Sequence, residues 1–338
     1  MRIQEHIPLQ DFTTFKLPCT ARFFAVVTTV EELQEAVQYA KGNSVPLFVL
    51  GGGSNTIFQK ETIDALVVKN EIQGITVVDG DDVSKTVRFG AGLPWNDVVA
   101  YTVDHDLSGI EAMAKIPGTT GATPIQNVGA YGQEIKDTLV ELEALNIETG
   151  LLEIFLNEDC DFAYRDSIFK HDAQGKYVIT SVTLRLKTTP PGIPHYPGVL
   201  EYLTLKGIST PTVKDIADVI GEIRSTKLPD PAQIASVGSF FKNPIVEASV
   251  YEKIKKDYPN VKAFAVEDKY KIPAGWLIDA MGYKGKVVGN LEFYPNNALV
   301  VVNRGGATFG ELQMLIDDVI HSVEATFGIT LEPEPVFV

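Results

Sequence analysis

Residues 115–132 read KIPGTTGATPIQNVGAYG, and no helix or long strand fits them. Four glycines, three threonines and two prolines interrupt every periodicity, and Lys115 is the only charge. An irregular stretch of this length inside a compact domain is either functional or disordered. Disorder suits it badly, because charge is scarce and Ile116, Ile125 and Val128 are present. The fold must therefore hold a run of bare backbone in place. Its N–H groups and small side chains leave room for a flat ring laid along it, with Tyr131 near the end.

A second glycine-rich stretch, LGGGSNTIF at 50–58, follows the apolar run VPLFVL. Three consecutive glycines let backbone N–H groups close on a ligand, and Ser54 and Asn55 add side-chain donors, a nest that suits phosphate oxygens. It carries neither G-K-[ST] nor G-x-G-x-x-G, so alone it reads equally as a turn between strand and helix. A phosphate-friendly loop and a ring-friendly loop in one chain together point to a dinucleotide cofactor.

The 338 residues suffice for two or three domains, each with its own core. A net charge of −15 without a Lys/Arg stripe argues against nucleic acid. A small anionic ligand stays compatible, since a few cations in a desolvated cleft override the average field. Cys19 and Cys160 stand far apart and the five histidines lack H-x-x-x-H spacing. This argues against a disulfide framework or a metal centre and suits a reducing cytoplasm. The opening MRIQEHIPLQDF lacks the cationic and apolar regions of a signal peptide, and the longest apolar runs are strand-sized, so no membrane segment is expected.

The patterning predicts an α+β chain. ARFFAVV reads as a strand, Thr29 and Glu32 as a capping box for the helix VEELQEAVQYAKG, and VPLFVL as a buried strand. GITVVDG, KTVRFGAG, LVELEALNIETG and KYVITSVTLRL make the middle strand-rich, with a helix at WNDVVAYTVDHDL. The proline-rich 188–198, TTPPGIPHYPG, excludes any regular element. Helices return at TVKDIADVIGEIR, EASVYEKIKKDY and AGWLIDAMG, and NALVVVN is a strand. Thr308 with Glu311 caps a last helix whose Leu312, Leu315, Ile316, Val319, Ile320 and Val323 mark a core face.

Seven segments carry a family resemblance. LGGGSN, IPGTTGATPIQNVGAYG, YRDSIFK, TKLPDP, GSFFKNP, AGWLID and LEPEP, in this order, make the chain from about Phe12 onward similar to the UDP-N-acetylenolpyruvoylglucosamine reductases, flavoenzymes of peptidoglycan synthesis. The resemblance implies an FAD-binding unit of the vanillyl-alcohol oxidase type in two subdomains, 1–70 and 71–226, with 328–338 returning to the first. A smaller α+β substrate-binding domain spans 227–327. It implies NADPH as hydride donor, a UDP-sugar as substrate and a monomer. FAD is expected to be non-covalent, because neither glycine segment offers a histidine tether. Gly51, Gly53, Ser54 and Asn55 of the first segment are implied to bind it. In the second, so are Ile116, Pro117, Gly118, Gly121 and Ala122, followed by Asn127, Gly129, Ala130, Tyr131 and Gly132.

The implied reaction adds a hydride to C3 of an enolpyruvyl ether and a proton to C2, which loads negative charge onto a carboxylate. Chemically it needs a fixed cation at the carboxylate and an acid over C2. Arg165 offers the cation, with a permanently charged fork suited to carboxylates; its bland alternative is an ion pair with Asp166. Ser239 is implied as the proton donor, above Phe240 and Phe241. Glu334 matches the family's catalytic glutamate better than Glu332, although Pro335 stands where valine is common. A carboxyl beside a substrate carboxylate is expected to have its pKa raised. Tyr164 and Ser167 are weaker candidates beside Arg165. Tyr196 is implied to fold over the sugar nucleotide, Lys227 and Arg224 to meet its phosphates, and Lys242, Asn243 and Asn297 to contact it, the last in place of a usual glutamine. Two other readings stay open at this point: a different FAD enzyme of this fold oxidising a small alcohol, and a non-catalytic sugar-nucleotide binder.

Overall fold

Strand Thr20–Val27 runs parallel to Thr62–Asn70, which runs parallel to Leu47–Leu50, and Gln4–Pro8 completes this four-stranded sheet at its other edge. The computed structural model describes residues 1–194 and 196–338; His195, in the expected tyrosine-bearing loop, lies outside them. The chain divides into two units. The first comprises Met1–Ile7, Thr20–Gly53 and Thr62–Ser225, the second Pro8–Cys19, Ser54–Glu61 and Thr226–Val338.

In the first unit, helix α1 (Val30–Gly42) lays Leu33, Ala36, Val37 and Ala40 on Ala25, Val27, Leu66 and Val68 of the parallel sheet. Thr29 Oγ1 accepts from Glu32 N–H, but Glu32 returns its carboxylate to Thr28 instead of Thr29, so the expected capping box closes one residue early. Leu47–Leu50 is only half-buried except at Leu50, because it lies on the sheet edge with no neighbour outside it.

A second, antiparallel sheet follows in the order Leu152–Leu156, Leu139–Asn146, Tyr177–Lys187, Ser84–Gly90, Ile75–Gly80. Its central strand Tyr177–Lys187 is buried through most of its length, whereas the edge strand Ile75–Gly80 is exposed throughout. Helices α2 (Trp95–Asp104), α3 (Pro197–Leu205) and α4 (Val213–Lys227) contribute Val98, Val99, Val199, Leu203, Ile216, Val219, Ile220 and Ile223 to its core. Helix α3 corrects the expectation that 188–198 excludes regular structure: it starts at Pro197, where a missing N–H costs nothing because the first helical N–H has no intrahelical acceptor.

The second unit is built on the sheet Ala235–Ser239, Val300–Asn303, Leu291–Phe293, Val287–Val288, with a three-stranded sheet Ile245–Glu247, Lys269–Lys271, Phe264–Val266. Helices α5 (Ala248–Asp257), α6 (Ala274–Ala280) and α7 (Phe309–Phe327) pack here. Thr308 and Glu311 form the full capping box of α7, Gly328 closes it at φ 68°, and Leu312, Leu315, Ile316, Val319 and Val323 are buried with Phe240, Phe241 and Phe293. Ile320 is partly buried on the same cluster. The final strand Val336–Phe337 pairs in parallel with Thr56–Ile57.

Candidate active site

The two glycine-rich segments meet in the first unit. A Cβ on Gly52 would lie 2.7 Å from Gly118 Cα, and one on Gly51 would lie 2.5 Å from Thr119 Oγ1, so only bare backbone allows this approach. The second segment is bolted down from behind. Trp95 N–H donates to the Gly118 carbonyl (3.0 Å), Thr120 N–H to Leu93 (2.9 Å) and Gly121 N–H to Ala91 (2.8 Å). Ile116 and Ile125 pack on the core of the antiparallel sheet, while Pro117 is half-buried and Ala122 exposed. Asn127 is fully buried and spends its side chain on structure, donating to Glu134 Oε2 and the Ala163 carbonyl and accepting from Lys136 N–H. Gly129–Ala130 then pairs with Gln133–Glu134 around the turn at Tyr131 and Gly132. Bare backbone packed this closely presents peptide groups of the kind that hold the phosphates of a flavin nucleotide.

Arg165 sits at the tip of a hairpin closed by the Ala163–Asp166 pair, at φ 57°, a conformation that costs a non-glycine residue about 1 kcal/mol and persists only when its surroundings enforce it. They do. Arg165 Nη2 donates to the Gly129 carbonyl (2.8 Å), Asn127 Nδ2 to Ala163 O (3.0 Å) and Ser167 Oγ to Ile125 O (2.7 Å), so YRDS is clamped onto the second glycine segment. Asp166 is engaged by His171 Nε2 at 2.7 Å, and Lys170 Nζ donates to the Arg165 carbonyl. The Arg165 guanidinium also stacks over the Tyr164 ring, 5.3 Å from its centre.

Arg224, from α4, belongs to the same cluster. Its Nε is sealed from solvent without a hydrogen-bond partner. Burial lowers its pKa, and the neighbouring Arg165 charge lowers it further while Tyr131 opposes this. Tyr131 packs edge-on against Tyr196 at 5.0 Å between ring centres, and burial raises its phenolic pKa although Arg224 acts against it. Arg224 feels the Arg165 charge and keeps one buried donor unmet, which an anion would satisfy.

In the second unit, GSFFKNP and LEPEP come together. Lys242 N–H donates to Glu332 O and Glu334 N–H to Phe240 O, so the backbones at 240–242 and 332–334 run as an antiparallel pair beside Ser239. Ser239 and Glu334 are half-buried, above fully buried Phe240 and Phe241. Asn55, from the end of the first glycine segment, donates to the Glu334 carbonyl (3.3 Å); Ser54 is half-buried next to it in the chain. Lys242 forms an ion pair with Glu332, and Asn243 Oδ1 accepts from Ala274 N–H at the start of α6 (2.9 Å). Asn297 Oδ1 accepts from Leu299 N–H, which shapes its own turn. Lys227, at the end of α4, is exposed.

The sequence reading missed the anchoring of this machinery. Ser167 was a minor candidate, yet it holds the Arg165 hairpin. Lys69, whose Nζ donates to the Gly51 carbonyl, escaped notice altogether. A cation ending the apolar run ALVV was its only signal.

Fold and site define a flavoprotein oxidoreductase: residues 21–154 match the family model described as FAD binding domain. Residues 230–338 match that of the C-terminal domain of UDP-N-acetylenolpyruvoylglucosamine reductase. The chain is 42% identical to the UDP-N-acetylenolpyruvoylglucosamine reductase of Flavobacterium johnsoniae over 99% of both chains, and 40% identical to that of Ralstonia nicotianae over 99% of both. The solved UDP-N-acetylenolpyruvylglucosamine reductase of Thermus caldophilus, 24% identical, shares its fold with a TM-score of 0.70 over 100% of this chain and 99% of that one. The chain belongs to the UDP-N-acetylenolpyruvoylglucosamine reductase family.

Proposed function

We infer that the protein reduces UDP-N-acetylenolpyruvoylglucosamine to UDP-N-acetylmuramate in peptidoglycan synthesis, with non-covalent FAD as the bound carrier and NADPH as donor. The observation that carries this reading is the buried, unmet Nε of Arg224, which feels the charge of Arg165, itself bonded to the Gly129 carbonyl of the second glycine segment, an arrangement that suits an anion. Bound FAD supplies the hydride that reaches C3 of the enolpyruvyl group.

The chain's own groups do the rest. Arg165 holds the substrate carboxylate and stabilises the charge that enters it. Ser239 gives the proton to C2, a transfer made possible by the strong basicity of the carbon that receives it. Glu334 acts on the same enolpyruvyl group in its protonated form, because an ionised carboxylate would repel the substrate's. Arg224 and Lys227 meet phosphate oxygens, and Tyr196, beside Tyr131, covers the sugar nucleotide. Lys242 exchanges Glu332 for substrate. Asn243 keeps Oδ1 on Ala274 and offers its amide N–H groups, while Asn297 reads the sugar. In this reading 1–70 and 71–226 serve FAD, 227–327 serves the substrate, and the acidic chain works as a cytoplasmic monomer without nucleic-acid or membrane partners.

Ser239→Ala tests the assignment. NADPH should reduce the flavin at the wild-type rate, while reduction of the enolpyruvyl sugar nucleotide slows by about 10²–10⁴-fold. An equal loss in both half-reactions contradicts a proton-donor role.

A further inference from the structure

The first glycine segment is gripped from below by a cation that the flavin reading leaves without a role. Lys69 pairs with Leu50 in the parallel register of Leu47–Leu50 with Thr62–Asn70, one residue before the chain turns into Gly51. Leu66 and Val68 join the core beneath α1. By the two-residue period of a strand, Lys69 therefore faces the opposite side of the sheet. Its Nζ donates to the Gly51 carbonyl, and its side chain is half-buried. Burial lowers its pKa, with Glu71 only partly compensating. A half-buried ammonium bonded to a carbonyl fixes the direction of that carbonyl and of the peptide it belongs to.

We infer that Lys69 is the positioning residue of the diphosphate nest: by fixing the Gly51 carbonyl it directs the Gly52 N–H away from the sheet and toward the phosphates of FAD. The link from Gly51 to Gly52 is trans, so its C=O and N–H point in opposite directions. Glycines lack side chains to set their peptide planes, and three in a row need an outside grip. An ammonium on the carbonyl also polarises the same peptide, which strengthens its N–H as a donor. The positive charge behind the nest favours an anion in front of it. This inference rests on the reading that residues 51–55 hold the diphosphate.

Flavin-stripped protein tests both levels. Wild type, Lys69→Met, Lys69→Arg and Gly52→Ala are titrated with FAD and with riboflavin, which has the ring but no phosphate, and each apoprotein is melted to check folding. Lys69→Met keeps the aliphatic stem and removes the charge. Its Kd for FAD should rise about tenfold or more, with riboflavin affinity unchanged and a weaker salt dependence of FAD binding. Lys69→Arg, which keeps charge and donor, should bind FAD close to wild type. FAD affinity unaltered in Lys69→Met while Gly52→Ala loses FAD would overturn the role of Lys69 and leave the nest standing. Equal losses for FAD and riboflavin in Lys69→Met, or Lys69→Arg as weak as Lys69→Met, would also overturn it. If Gly52→Ala itself keeps full FAD affinity, the nest reading fails and takes the inference with it.

Discussion

Replacing Ser167 by alanine removes one hydroxyl and with it two hydrogen bonds, one to the second glycine segment and one within its own turn. Ser167 is 1% exposed, donates to the Ile125 carbonyl at 2.7 Å and accepts from Phe169 N–H at 3.2 Å. Alanine leaves both backbone groups buried and unpaired, at about 1–3 kcal/mol each. A destabilisation of about 2–6 kcal/mol follows, large against a typical total of about 5–15 kcal/mol. The Arg165 hairpin stays attached through Asn127 and Gly129, so it loosens without leaving. The KM for the enolpyruvyl substrate should therefore rise while flavin reduction by NADPH keeps its rate. Urea unfolding of the holoprotein and half-reaction kinetics read the two effects. Thr204→Ala, which removes an exposed hydroxyl bonded within α3, is the control and should stay within about 0.5 kcal/mol of wild type. A Ser167→Ala protein as stable as that control refutes the clamp.

Asn243→Ala should cost about 1 kcal/mol by orphaning the first N–H of α6, and Asn243→Asp, which keeps the acceptor, should recover it in the same denaturation assay. The Asp166 carboxyl sits below its ordinary 3.8: partial burial pushes it up, but the His171 contact and Ser167 N–H outweigh that. A depressed folded pKa stabilises the protein above the unfolded value, and this stability is lost as pH falls through the folded one. His171→Gln should make that acid loss smaller and complete it at higher pH, and an unchanged acid limb would count against the pairing. Burial pushes the Cys160 thiol up to about 12, and Cys19 is buried as well. Thiol reagents at neutral pH should therefore add no mass until the protein is unfolded; labelling of native protein would contradict their burial.

What the sequence made legible follows from the range of each interaction. The stripe on α7 and its Thr308–Glu311 box are local patterns, and they appear in the fold where periodicity put them. Two runs of glycine announced close backbone approach, but that Gly52 lies against Gly118 depends on contacts far apart in sequence. The same holds for Ser167 with Ile125 and for Arg224 with Arg165. Sheet position was equally hidden: VPLFVL reads as a core strand and lies at an edge. The start of α3 was obscured because proline breaks helices in their interior yet suits their first residue.

In the proposed reaction one flavin accepts reducing equivalents from NADPH and yields them to an enolpyruvyl sugar nucleotide. An anaerobic titration of the purified protein's flavin absorbance tests it. NADPH should bleach the oxidised band and UDP-N-acetylenolpyruvoylglucosamine should restore it mole for mole. A band that NADPH leaves untouched, or that returns only when oxygen is admitted, would rule this electron path out.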